Sequence, residues 1–231
     1  WYNWKIKGHC LLDNYKVNKF MNTVVKYFVS LFGVSLNKTM PWIALGIVIW
    51  NYISSYLDDS STLFIHTRLT NMRITPLKLI VINMFKHLII FAHNSIVILA
   101  IILIFNLKIT YTYLYLIFAF IIIIANSISF GILVGFLCCR YRDFILIIRN
   151  LIYLMFLMTP IFWMPDLLKG NRMILADINI VYQVIQSVRD PLLGNPLSGY
   201  TILYLSIFTF FISIFSFFIY KKFHRRLIFW I

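Results

Sequence analysis

Cys139 to Pro165 reads CRYRDFILIIRNLIYLMFLMTPIFWMP, and its punctuation decides how the rest of the chain is read. Arg140, Arg142 and Asp143 end one apolar run and open another, which breaks at Thr159-Pro160 and again at Pro165. Proline has no backbone N–H and pushes the preceding residue towards extended backbone, so the run is broken at that pair. The expectation is a cytoplasmic hinge, a membrane-crossing helix over residues 144–164 and a kinked exit on the far side. Lys and Arg near the ends of apolar helices are retained on the cytoplasmic face. Arg140, Arg142 and Arg149 therefore mark the inside.

Composition agrees with a membrane reading. Of 231 residues 61% are hydrophobic and 12% charged, and the mean hydropathy is +0.87, more apolar surface than one soluble core conceals. A net charge of +14 would point to nucleic acid in a soluble chain. Here the basic residues cluster between apolar runs, the positive-inside pattern accounts for them, and no nucleic-acid partner is expected. Cys10, Cys138 and Cys139 show no metal-ligand spacing and no disulfide framework. Trp1 opens no charged-apolar-small pattern, so no cleavable signal is expected.

Working outward, apolar runs mark spans at about 41–57, 88–107, 112–138, 144–164 and 199–220, each close to or above the roughly 20 residues that cross a bilayer core. Arg68, Arg73, Lys78 and Lys86 then fall on the same side as Arg140, Arg142, Arg149, Lys221, Lys222, Arg225 and Arg226. Lys38, Lys108, Lys169, Arg172 and Arg189 fall on the other. Residues 1–19 mix aromatics with lysines and read as a basic segment on the anionic leaflet or a disordered tail. Residues 20–36 are balanced: each Val, Leu or Phe favours insertion by about 0.3–0.6 kcal/mol, and Lys26 opposes it by about 2.5–3.5. Parity requires a crossing there, which makes six spans with a weak first one. The fold class expected is an all-α integral membrane protein, with residues 20–231 as one transmembrane domain.

Two stretches outside the spans carry pattern. Ile174, Ile178, Val181, Ile185, Val188 and Leu192 form one helical stripe, and Asn179, Gln183, Gln186 and Asp190 repeat on another face. Such a helix lies at the interface or dips back as a re-entrant element. Asp58-Asp59-Ser60-Ser61-Thr62 offers helix N-caps for a short cytoplasmic helix over 63–72, either a partner-docking helix or an amphipathic loop helix. Within the second clear span, His93 and Asn94 must find a partner across a helix interface or face water, with a structural hydrogen bond expected ahead of a proton relay. Gly131 and Gly135 form a small face that admits a neighbouring helix. Aromatics near span ends, Trp42, Trp50 and Trp163 among them, suit an interfacial belt, and some suit packing against sugar rings.

Chemistry is marked by what is missing. The chain has no glutamate, no phosphate-cradling G-x-x-x-x-G-K-[ST] and no H-E-x-x-H, and its five histidines are scattered. Neither a nucleotide site of its own nor a metal or other cofactor is expected.

Taken together, PWIALGIVIWNYISSYLDDSSTLF at 41–64, KHLIIFAHNSIVILAIILIF at 86–105, RYRDF at 140–144, TPIFWMP at 159–165 and INIVYQVIQSVRDPLLG at 178–194 resemble the membrane subunit of bacterial ABC exporters for O-antigen, capsule and teichoic-acid polysaccharides. The resemblance implies a homodimeric inner-membrane permease that exports a lipid-linked polysaccharide and is driven by a separate ATP-binding cassette subunit. It implies a coupling helix carrying Ser61, Phe64, Ile65, Arg68 and Arg73, and a cytoplasmic rim of Arg140, Tyr141, Arg142 and Asp143. It also implies an outer gate with glycan contacts from Trp163, Asn179, Tyr182, Gln183, Gln186, Arg189 and Asp190. The polar residues 14–25 and Lys26 depart from the family's apolar first helix, which keeps a truncated, inactive permease as an alternative. A membrane glycosyl- or acyltransferase is another; it needs an acid/base or metal-binding group near the interface, for which Asp58, Asp59 and Asp143 qualify on the inner side.

Overall fold

A computed structural model of the chain describes residues 36–66, 75–105, 110–161 and 177–227. The basic segment 1–19 and most of the weak span 20–36 lie outside them. The chain divides into two compact units, Trp1–Pro41 and Trp42–Ile231, and the helical bundle is the second of them. Every regular element among the described residues is helical. In order they are α1 (Leu36–His66), α2 (Pro76–Ile104), a 3-10 turn (Tyr111–Leu114), α3 (Tyr115–Arg140), α4 (Phe144–Met158), α5 (Ile180–Leu192) and α6 (Gly199–Phe223). α1, α2, α3 with its leading turn, and α6 are long and apolar enough to cross a membrane.

Local chemistry sets the boundaries. Thr75 caps α2 by accepting from Lys78 N at 3.4 Å, and Pro76 occupies the first turn, where its missing N–H costs nothing. α2 thus starts a dozen residues before the apolar run at Leu88. α4 stops at Met158, short of the expected span to residue 164, because Pro160 forces Thr159 into extended backbone (φ −86°, ψ 132°). Fifteen helical residues rise only about 22 Å, and the extended residues 159–161 carry the chain further towards the opposite end. α5 closes with Gly194 at φ 83° and Asn195 N donating to Asp190 O at 2.9 Å, a left-handed cap that glycine adopts without strain.

α3 is the axis of the bundle, packing on α2, α5, α6 and the 3-10 turn. Two apolar clusters lie towards its two ends. One joins Phe64 of α1, Leu79 and Ile80 of α2, Phe136 and Cys139 of α3, and Leu227 beyond α6. The other joins Leu45 and Ile49 of α1, Ile98 of α2, Ala119 of α3, Ile161, and Ile185 and Leu192 of α5. The first cluster gathers the end of α1, the start of α2, the end of α3 and the end of α6. Lys78, Arg140, Arg142, Lys221 and Lys222 therefore share one end of the bundle, as the alternation of charge implies. Outward faces of α2 and α6, with Ile89, Leu103, Phe210 and Phe218 well exposed, are the apolar surface that bilayer hydrocarbon covers.

The glycine face of α3 is used inside the chain. A side chain on Gly131 would meet Ile80 Cγ2 at 2.8 Å, and one on Gly135 would meet Phe64 Cε2 at 2.6 Å. These glycines let α1 and α2 approach α3 closely.

Candidate functional site

At its C-terminal end α1 contradicts the capping pattern read from Asp58-Asp59-Ser60-Ser61-Thr62. These residues are helix interior. Ser61 Oγ donates to Asp58 O at 2.6 Å and Thr62 Oγ1 to Asp59 O at 3.4 Å, so both hydroxyls bond back along the helix instead of starting a new one. Residues 63–66 thus continue α1; residues 67–72 of the expected short helix lie outside the described residues.

Adjacent positions on a helix point in different directions, and the two aspartates reach different neighbours. Asp58 Oδ1 accepts from Arg149 Nε of α4 at 2.7 Å. Asp59 Oδ2 accepts from Lys86 Nζ and from His87 Nε2, the latter at 2.9 Å. His87 is nearly wholly buried, its Nδ1 lies 3.3 Å from Ser55 Oγ, and its ring meets Tyr56 edge-on. One turn earlier on α2, Asn83 Nδ2 donates to Ser60 Oγ at 3.3 Å. Tyr56 and Tyr52 complete the rungs to α3, with Tyr56 OH donating to Ser127 O at 2.5 Å and Tyr52 OH sharing a proton with Ser127 Oγ at 2.8 Å.

Outward from this charged layer, α1, α2 and α4 line an open cleft of about 930 Å³. α1 gives it a polar wall of Asn51, Ser54, Ser55 and Asp58. α2 and α4 give it Ile90, Phe91, Ile152, Tyr153 and Phe156, with Asn94 between them and Arg149 at the inner end.

The opposite end holds α5. Asn179 caps it, its Oδ1 accepting from Val181 N and Tyr182 N and its Nδ2 donating to Thr159 Oγ1 at 3.1 Å. Tyr182, Gln183, Ser187 and Arg189 are buried together with Val181, Ile185, Val188 and Leu192 of the apolar stripe, while Gln186 and Asp190 are half-buried, Ile178 is exposed and Ile174 lies outside the described residues. α5 is therefore set into the bundle and does not lie on its surface. Gln183 bridges two elements, donating from Nε2 to Asp177 O at 2.8 Å and accepting from Thr201 Oγ1 at 2.9 Å. Arg189 is fully buried over Gly46 and against the Trp42 ring, with one long bond from Nη1 to Pro160 O at 3.4 Å. Burial pushes its guanidinium down to about 10, still cationic at neutral pH.

The expected site residues thus separate into groups. Arg140, Tyr141, Arg142 and Asp143 are exposed at the α3–α4 turn, where Phe144 N donates to Tyr141 O at 3.1 Å. Arg149, one turn into α4, pairs with Asp58 of α1. Ser61 and Phe64 are buried, Phe64 edge-on to Phe136, and Ile65 is half-buried. Phe64 is thus part of the core and presents no free docking ring. Arg68, Arg73 and Trp163 lie outside the described residues. Among the described residues the helix-to-helix hydrogen bonds of α2 come from Asn83, Lys86 and His87, and none from His93 or Asn94. His87, Lys86 and Asn51 are the site residues that sequence reasoning missed; for Lys86 and His87 ionisable side chains at the edge of an apolar run were the available signal, and for Asn51 a polar residue within one.

No protein-family model and no curated protein matches the chain. What fold and composition define is a class: an all-helical protein with four helices long and apolar enough to span a bilayer, compatible with a multi-pass membrane protein.

Proposed function

We propose that the chain is the permease subunit of an exporter for lipid-linked polysaccharide in the bacterial cytoplasmic membrane, working as a homodimer with a separate ATP-hydrolysing subunit. The observation that carries this reading is α5. A short helix with Gln183, Ser187 and Arg189 buried among spanning helices sets polar groups into one mouth of the bundle, where irregular backbone is tolerated only against protein or water. Gathered basic residues at the other end supply a surface for a cytoplasmic partner, and no phosphate-binding loop exists in the sequence.

The transferase alternative is weakened by the state of two of its three carboxylates, which leaves it the exposed Asp143. Asp58 is held by Arg149, and Asp59 by Lys86 and His87, so neither is an uncommitted acid or base.

The test is co-purification and reconstitution. A tagged chain should bring down a P-loop ATPase, and Arg68→Glu should weaken that complex. Phe64 variants act through the core and are the poorer probe. Vesicles holding chain and ATPase should expose lipid-linked glycan on the far leaflet when ATP is added. Full export by the chain purified alone would overturn the reading.

A further inference from the structure

The cleft between α1, α2 and α4 is closed by chemistry at one end only. Asp58 and Arg149, each about half exposed (45% and 47%), form an ion pair at its inner end. His87, turned towards Asp59, is the third titratable group there. The set has both signs of charge and no excess of either. Two helical turns outward, about 10 Å along α1, sits Asn51, and Asn94 of α2 also lines the space. Neither amide has a hydrogen-bond partner among the described residues. The facing wall carries Ile90, Phe91, Ile152 and Phe156, with the Tyr153 phenol and Asn94 among them.

We infer that this cleft binds a zwitterionic glycerophospholipid carrying a primary ammonium. The phosphate displaces Asp58 from Arg149, whose planar fork suits a phosphate bidentately, and the ammonium replaces the guanidinium on Asp58. Exchanging one ion pair for two keeps every charge paired, which a purely anionic head group would not do. Asn51 and Asn94 then donate to the ester carbonyls, and the acyl chains follow Ile90, Ile152 and Phe156 towards the membrane middle. This assignment is independent of the transport reading, since a bound membrane lipid requires neither cargo nor ATPase.

The test uses the full chain in nanodiscs of equal phosphatidylethanolamine and phosphatidylglycerol, re-extracted into mild detergent and read by native mass spectrometry. Phosphatidylethanolamine should be retained over phosphatidylglycerol by tenfold or more. Asp58→Asn should erase that preference, and Arg149→Gln should lower retention of both lipids. Ile90→Trp narrows the cleft without touching a charge and should also empty it, which covers the case in which the charge variants fail to fold. Equal retention of the two lipids by the unaltered chain, no retention of either, or an undiminished preference in Asp58→Asn or Ile90→Trp overturns the assignment.

Discussion

Arg189 lies against the face of Trp42, its Cζ 4.0 Å from the ring centroid, while its Nε and Nη2 have no hydrogen-bond partner among the described residues. A buried charge held mainly by a ring is an expensive arrangement, because a cation–π contact returns about 2 kcal/mol when desolvated against several for burying the ion.

That imbalance sets the expected outcome. Arg189→Met, similar in length and uncharged, should leave the melting temperature in detergent unchanged or higher. Trp42→Leu strands the charge and should lower it. Both are read by thermal unfolding of the purified chain. A larger loss for Arg189→Met than for Trp42→Leu would mean that the guanidinium is well paired.

Gly135 and Phe64 form a second tight pair. An added methyl at 135 meets the Phe64 ring at 2.6 Å, and overpacking of this kind costs about 1–3 kcal/mol. Gly135→Ala should therefore destabilise, and Phe64→Leu in the same chain should recover part of the loss although it is harmful alone. Additive losses in that double-mutant cycle would show that the two side chains do not compete for one space.

At Asp59 a single carboxylate serves two donors, Lys86 and His87. Removing Lys86 as Lys86→Leu leaves Asp59 bonded to His87. Asp59→Asn instead leaves the ammonium without its counter-ion and weakens the histidine bond. Asp59→Asn should thus lower thermal stability more than Lys86→Leu, with the ordering preserved at high salt because His87 is buried. Equal losses would assign the whole effect to the exposed Lys86 pair.

How far the sequence carries can be judged from these same residues. Apolar runs locate α3 and α6 to within a few residues, and Thr159-Pro160 locates the end of α4, because a proline's effect is local. Hydropathy alone starts α2 at Leu88, because Lys78 and Lys86 look like loop residues. Its true start is written in Thr75-Pro76, and Lys86 belongs to a helix because Asp59 of another helix meets it. Ser60, Ser61 and Thr62 have the chemistry of caps, yet the hydroxyls of Ser61 and Thr62 bond back to carbonyls of their own helix, a choice made by what surrounds them. Arg189 looks like an exposed outer charge; its burial depends on Gly46 and Trp42, more than 140 positions away. Pairings of this range leave no mark on local pattern.

The gathering of chain ends makes one more prediction, about sides. The end of α1, the start of α2, the end of α3 and the end of α6 share the cluster of Phe64, Leu79, Cys139 and Leu227. The 3-10 turn meets the end of α5 through Thr112 Oγ1 donating to Pro191 O at 3.1 Å, far from that cluster along α3. Single cysteines placed at Arg142 and at Arg225 should therefore react with an impermeant maleimide from one side of the membrane only. One at Asn195 should react from the other. The buried Cys138 and Cys139 should stay unlabelled in all three variants. Basic residues favour the cytoplasm, so Arg142 and Arg225 should be silent in sealed cells and Asn195 labelled. Labelling of Arg142 and Arg225 from opposite sides would break the helix order of the bundle, and labelling of both from outside would invert the membrane orientation while leaving the bundle intact.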